Sequence, residues 1–476
     1  MTSPAPMKFD LIVIGGGSAG HAAARTAASL GLSCALVEAP GPLGGLCILR
    51  GCMPSKVLLE TSNRMREIHE AKRFGITVTA PKLNLGALRD RLEELTRDFR
   101  EYRLHEMKSS GYELIRATAS FTSPHELSLR NEDGQTSSVT AKAFVIATGS
   151  SPSIPKIPGL EETPFWTSDD VVKTPAVPSR IAIVGSGAIG LEIAHLFEGF
   201  GSNVTVIARG GSILSHHDPD LSQALERESE ELGIRFLKNT SLRSVSHEKG
   251  TFHLTPEGEA SSFTVDALLI ATGREPATSR LGLEKLGIAM DGKRILIDDR
   301  ATTSLSHVFA AGDCASPVPV VHLAVIQGEA AARNAERIIR DGHSEISADW
   351  SHATAMSGLF TSPQAVEIGM TEKPAAEKGF QTISGIIHYN DQGKGMIAGS
   401  RHGFVKIVAD AATRRIIGAS GVGPVVLETA HVVQLAITSG LTLEEYVAVP
   451  HYHPTLAEAW ASAAQDAIDR HPQPSA

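Results

Sequence analysis

The 476-residue sequence predicts an α/β chain with two Rossmann-like dinucleotide-binding domains followed by a C-terminal α+β domain. Three observations predict it. An apolar strand run, a GxGxxG turn and an Ala-rich helical stretch follow one another through residues 9–30. The same succession restarts at residues 180–200, and two complete units imply two nucleotides where one motif alone would say little. From about residue 348 the pattern changes to mixed alternating and helical segments.

A chain this long exceeds a single hydrophobic core. Its 42% hydrophobic and 20% charged residues are ordinary for a globular protein, and its 44 glycines point to tight turns and close backbone approaches. The net charge of -9, without a long basic run, argues against nucleic acid or anionic membrane as a partner. Four cysteines fit a reducing compartment. With no apolar run of signal-peptide or membrane-spanning length, the expected location is cytoplasmic.

Residues 9–14 form the first strand, leading into Gly15, Gly16, Gly17, Ser18, Ala19 and Gly20 and then a helix over 21–30. Such glycines let the backbone approach a pyrophosphate at a helix N-terminus. A second strand over 33–37 ends in Glu38, placed where an acid accepts from ribose hydroxyls. Residues 57–110 read as mostly helical, with an amphipathic segment at 85–107 that Gly111 breaks. Short strands follow, with a hairpin turn at 131–134, and a buried strand at 144–149 ends in Ala147, Thr148 and Gly149. Pro152, Pro155 and Pro158 stiffen an extended connection, where a domain boundary is expected.

The second unit has a strand at 180–184, then Gly185, Ser186, Gly187, Ala188, Ile189 and Gly190, a helix over 191–200, and a strand at 203–208. The acid expected at that strand's end is absent and Arg209 follows instead. Either Arg209 is a solvated surface charge or it pairs with a 2′-phosphate, which favours the phosphorylated nicotinamide cofactor. The unit closes on residues 267–274, including Gly273, in an echo of 147–149. A strand over 308–313 ends in Gly312 and Asp313, where an acid can accept from a sugar-like hydroxyl, and a long helix covers 322–340.

Between the first two elements of chemistry lies the stretch from Gly44 to Lys56, with Cys47 and Cys52 separated by four residues. That spacing is too wide for a thioredoxin-like or zinc-knuckle Cys-x-x-Cys, and no second pair completes a metal site, so no metal is expected. Two readings remain: a redox disulfide or a structural pair. The glycine-rich surroundings favour redox work. Cys34, in an apolar strand, and Cys314, after Gly-Asp, read as buried small residues.

These motifs, together with His453-Pro454-Thr455 and Glu458 near the C-terminal end, resemble the pyridine nucleotide-disulfide oxidoreductases. That group includes dihydrolipoamide dehydrogenase, glutathione reductase and mercuric reductase, and the likeness runs over nearly the whole chain. It implies an FAD-binding domain in two parts, 1–157 and 277–347, an NAD(P)-binding domain at 158–276, and a dimerisation domain at 348–476. It also implies a homodimer. FAD would lie against Gly15, Gly17, Ser18, Ala19, Gly20, Glu38, Gly45, Lys56, Thr148, Gly149, Gly312, Asp313 and Ala324. NAD(P)H would lie against Gly185, Gly187, Ile189, Gly190, Arg209 and Gly273, with NADPH favoured.

By the same resemblance Cys52 is the thiol against the flavin and Cys47 the thiol that exchanges with substrate. Lys56 and Glu192 form an ion pair near the flavin. His453, oriented by Glu458, is a general base acting on the partner chain's disulfide, since thiolate is the attacking species. The sequence departs from the family pattern at Leu46, where many members carry Thr, and at Ile48-Leu49-Arg50, usually Leu-Asn-Val. Mercury reduction fits poorly, because no cysteine follows Cys314. The expected enzyme passes electrons between NAD(P) and a dithiol or disulfide, most like dihydrolipoamide, free or protein-bound. An NADPH-dependent reductase of another small disulfide and a non-catalytic redox-sensing flavoprotein are the alternatives.

Overall fold

The computed structural model describes residues 7–174, 176–258, 261–343 and 355–472. The expected domain boundary at 347/348 lies outside them. Two compact units emerge: Met1–Ser55, Gly86–Ser153 and Arg274–Ser351 form the first, and Lys56–Leu85, Ile154–Gly273 and His352–Ala476 the second.

The first unit is built on a sheet whose strand Met7–Ile14 lies parallel between Cys34–Glu38 and Thr136–Ile146. Residues 11–14, Leu-Ile-Val-Ile, are fully or almost fully buried, as a strand covered on both faces requires. Glu113–Arg116 extends one edge in parallel, Val308–Ala310 adds parallel to Thr136–Ile146, and Thr118–Ser123 and Glu126–Arg130 continue antiparallel. The helices Ser18–Ser29 and Val321–Asp341 contribute Ala19, Ala23, Ala27, Ala331 and Ala335 to one core against this sheet.

The second unit repeats the parallel arrangement in the order 235–237, 203–207, 180–184, 267–270, 166–167. Its C-terminal part is an antiparallel five-stranded sheet ordered 356–359, 364–369, 416–423, 404–410, 382–388. The helix Glu458–Arg470 buries Ala459, Trp460, Ala463, Ala464 and Ala467 in that sheet's core.

Some element ends differ from the sequence reading. The second-unit helix starts at Ala188, three residues before the expected 191, because Gly187 is its N-cap and the end of the glycine motif is already its first turn. The helical region 57–110 is two helices, Cys52–Glu70 and Leu85–Ser109; Gly75, at φ 76°, ends the short turn after the first. The strand expected over 308–313 stops at Ala310, and Gly312, at φ 75°, turns the chain so that Asp313 sits in a short 3-10 turn.

Candidate active site

In the first unit the glycine turn is fixed by sterics. Gly15 has φ 102°, and a Cβ there would lie 2.4 Å from the Ala147 carbonyl oxygen; one at Gly20 would lie 1.7 Å from the Gly15 oxygen. Only glycine allows strand, turn and helix to close this tightly. Above Gly17 the space is open, and Ser18, Ala19 and Gly20 form the first helical turn, whose N–H groups lack intrahelical partners. That is a cradle for a pyrophosphate. Glu38, at the end of the second strand, accepts from the Gly16 N–H. Burial raises its pKa, opposed by that hydrogen bond and by Arg116.

Gly312 brings further candidates together, since a Cβ on it would be 3.2 Å from Ala19 Cβ and 3.4 Å from Ala324 Cβ. Asp313 accepts from the Ser150 hydroxyl at 2.7 Å, and Arg274 Nε donates to that same hydroxyl at 2.9 Å. Thr148 and Gly149 lie at the end of the neighbouring strand, with the Gly149 carbonyl accepting from the Ala277 N–H. The residues present thus fit a dinucleotide with sugar hydroxyls and a pyrophosphate.

The cysteine stretch adjoins this cradle, for a Cβ on Gly45 would come within 2.8 Å of Gly17 Cα. Cys47 lies in the helix Gly45–Leu49 and Cys52 opens the helix Cys52–Glu70. Both cysteines are in the thiol form and half-buried, and they are in hydrogen-bond contact. That contact, burial and the charge of Cys52 drive the Cys47 pKa far up, opposed by the Met53 amide and Arg103. Cys34 and Cys314 are buried, and burial pushes Cys34 to about 12, so neither is a reactive thiol.

In the second unit the other glycine turn has the same geometry. A Cβ on Gly185, at φ 117°, would lie 2.3 Å from the Ala271 oxygen, and one on Gly190 would lie 2.2 Å from the Gly185 oxygen. Gly187 and Gly273 face open space, and Ile189 sits in the helix's first turn. Arg209 is exposed just past the strand Asn203–Ile207. Lys56 Nζ meets Glu192 at 2.8 and 3.1 Å, joining residues 136 apart in sequence. Phe360, which the sequence did not mark, completes that group. Its N–H donates to Glu192 at 3.0 Å and its ring lies 4.6 Å beneath the Lys56 ammonium.

His453 Nδ1 contacts Glu458 at 3.0 Å. The imidazole is 77% exposed while the carboxylate is 16% exposed, so the acid is fixed and the ring is open to a reacting group. His451 instead packs edge-on against Tyr446 and contacts its carbonyl. The Glu458 carboxylate also accepts from Gln392, another residue the sequence did not mark.

The family model described as pyridine nucleotide-disulphide oxidoreductase matches residues 9–329, and its dimerisation domain matches 356–464. The chain belongs to this family. Dihydrolipoyl dehydrogenase of Haloferax volcanii is 32% identical, with 96% of each chain covered. Mercuric reductase of Bacillus cereus is 31% identical over 94% of this chain and 70% of its own. The HOCl-induced flavoprotein disulfide reductase RclA from Escherichia coli shares the fold, with a TM-score of 0.82 at 24% identity and coverage of 96% and 99%. This pyridine nucleotide-disulphide oxidoreductase is therefore a flavoprotein enzyme, using FAD and NAD(P)H and carrying a dimerisation domain. Among the described residues no helix is long and apolar enough to cross a membrane.

Proposed function

We propose that the enzyme oxidises a dithiol of the dihydrolipoamide kind, passing its two electrons through Cys47 and Cys52 to NAD(P)+ as a homodimer in a reducing, cytoplasmic compartment. The observation that carries this reading is the exposed His453 imidazole held by Glu458. In dithiol oxidation a substrate thiol must lose its proton before its sulfur can attack, and the released Cys47 sulfur, whose contact with Cys52 and burial favour the thiol, must take one up. An imidazole oriented by a carboxylate can accept that proton and hand it back.

In the forward direction a substrate thiolate attacks Cys47 of the Cys47–Cys52 disulfide, and Cys52 leaves as thiolate. The second substrate thiol loses its proton to His453 of the other chain and attacks the mixed disulfide. The substrate disulfide departs, Cys47 leaves as thiolate, and that thiolate takes the proton from the imidazolium. FAD, when bound by the cradle around Gly17 and Asp313, supplies two-electron transfer between the dithiol and the nicotinamide. Lys56, paired with Glu192 and resting on Phe360, is held in place as a positive charge of the kind that would stabilise a reduced flavin anion. Arg209, exposed past its strand, would hold the 2′-phosphate of the phosphorylated nicotinamide nucleotide.

The test is turnover of dihydrolipoamide with each nicotinamide nucleotide, in wild type and in Cys47→Ser and Cys52→Ser. Both variants lose turnover. Reduced Cys47→Ser protein keeps the long-wavelength absorbance of a thiolate against flavin, and Cys52→Ser lacks it. Normal turnover by either variant refutes the assignment. Turnover of glutathione disulfide but not lipoamide would favour the small-disulfide reductase.

A further inference from the structure

Gln392 occupies a position that the dithiol chemistry has not yet used. It is 7% exposed and caps the helix Gly393–Ala398, its Oε1 accepting from the Gly395 N–H at 2.6 Å. Its Nε2 donates to the Thr455 carbonyl and to Glu458 Oε1, each at 2.8 Å. An acceptor bound to an N–H and a nitrogen bound to two oxygens leave only one orientation of the amide that satisfies every contact.

These contacts bear directly on the base. Glu458 Oε1 takes donors from Gln392 and, at 3.3 Å, from the Thr455 N–H, while Oε2 lies 3.0 Å from His453 Nδ1. With the ring mostly exposed, its orientation depends on that carboxylate. The carboxylate in turn is held by the Gln392 amide, which also ties down the carbonyl of the His-Pro-Thr turn.

Resting on the reading of His453 as the base, we infer that Gln392 is a positioning residue for dithiol oxidation. It acts through Glu458 to aim the His453 imidazole. A glutamine serving only as a helix cap would use its oxygen alone, and a carboxylate would replace that oxygen well at a helix N-terminus. The positioning role needs the two N–H donors as well.

Gln392→Glu separates these roles, because it keeps the capping acceptor and replaces a donor to Glu458 with a second acidic group. In the holoenzyme at about pH 8, flavin reduction by dihydrolipoamide falls roughly 10- to 100-fold, the range expected for a misplaced base. Flavin reduction by NADPH stays within about twofold, since hydride transfer does not use the base. The deficit shrinks as pH falls and the introduced carboxyl protonates, becoming a donor again. Gln392→Met, with neither function, shows the loss at every pH.

Wild-type dithiol rates across pH in Gln392→Glu overturn the inference, and so does an equal fall in both half-reactions, which marks a structural defect. His453→Gln, measured alongside, separates the two levels. If it abolishes the dithiol step while Gln392→Glu leaves it intact, only the positioning role fails. If His453→Gln itself leaves the step intact, the base assignment fails and the inference falls with it.

Discussion

Acid should loosen the second unit through His195, a buried imidazole on the helix that also carries Glu192. Its Nδ1 accepts from the Ser362 N–H at 3.2 Å, so the ring proton belongs on Nε2, which meets Ser229 Oγ at 2.9 Å; that hydroxyl donates to the Leu225 carbonyl at 2.7 Å. A second ring proton would face the Ser362 N–H donor to donor. Burial first, and then the nearby Arg66 guanidinium, pushes the pKa from 6.5 to about 3. The unfolded chain binds this proton below about pH 6.5 and the folded chain does not until about pH 3, so this stability is present at neutral pH and lost as pH falls. At about pH 5 the gap from the unfolded value is about 1.5 pH units, which at about 1.4 kcal/mol each costs about 2 kcal/mol.

The perturbation is His195→Asn, whose amide oxygen can take the Ser362 N–H but does not titrate. Urea unfolding of the holoprotein, followed by circular dichroism between about pH 7.5 and pH 5, measures the slope. Wild type should lose about 2 kcal/mol more than the variant over that interval. His21, depressed to about 4, adds the same acid sensitivity to both proteins and cancels in the comparison. Parallel pH curves would refute the reasoning and show that His195 is protonated in the fold.

Two further outcomes concern the cofactor and the pair of chains. Arg209→Glu should weaken NADPH by removing a charge-assisted contact and adding repulsion, shifting kcat/KM toward NADH; a wild type that prefers NADH and an unchanged variant would make Arg209 a surface charge only. Co-expressed His453→Gln and Cys47→Ser chains should form heterodimers with about half of wild-type activity, since one shared site holds both defects and the other neither. Inactive heterodimers would mean that each chain supplies its own base.

Much of the site could be read along the chain because its parts are local. Gly15, Gly20, Gly185 and Gly190 announce themselves, since their backbones leave no space for a Cβ. Glu38 follows from strand spacing. Phe360 and Gln392 carry no such signal. One works through a backbone N–H and a ring face, and the other through an amide that any surface glutamine could offer. The second-unit helix begins earlier than its spacing suggests, because Gly187, inside the glycine motif, is its N-cap and Ala188 to Gly190 already belong to the helix.

The sequence by itself determined the repeated strand, glycine turn and helix, the cysteine pair and the His-Pro-Thr turn with its acid. Periodicity and steric exclusion act over a few neighbouring residues and leave a pattern that can be read in one dimension. Only the tertiary structure decided how distant groups share work. Lys56 meets Glu192 across 136 residues, Gln392 reaches Glu458 across 66, and Ser362 sets the tautomer of His195 across 167. Those contacts arise when buried polar groups must find partners as the chain packs, and local sequence does not specify which partner packing will bring near.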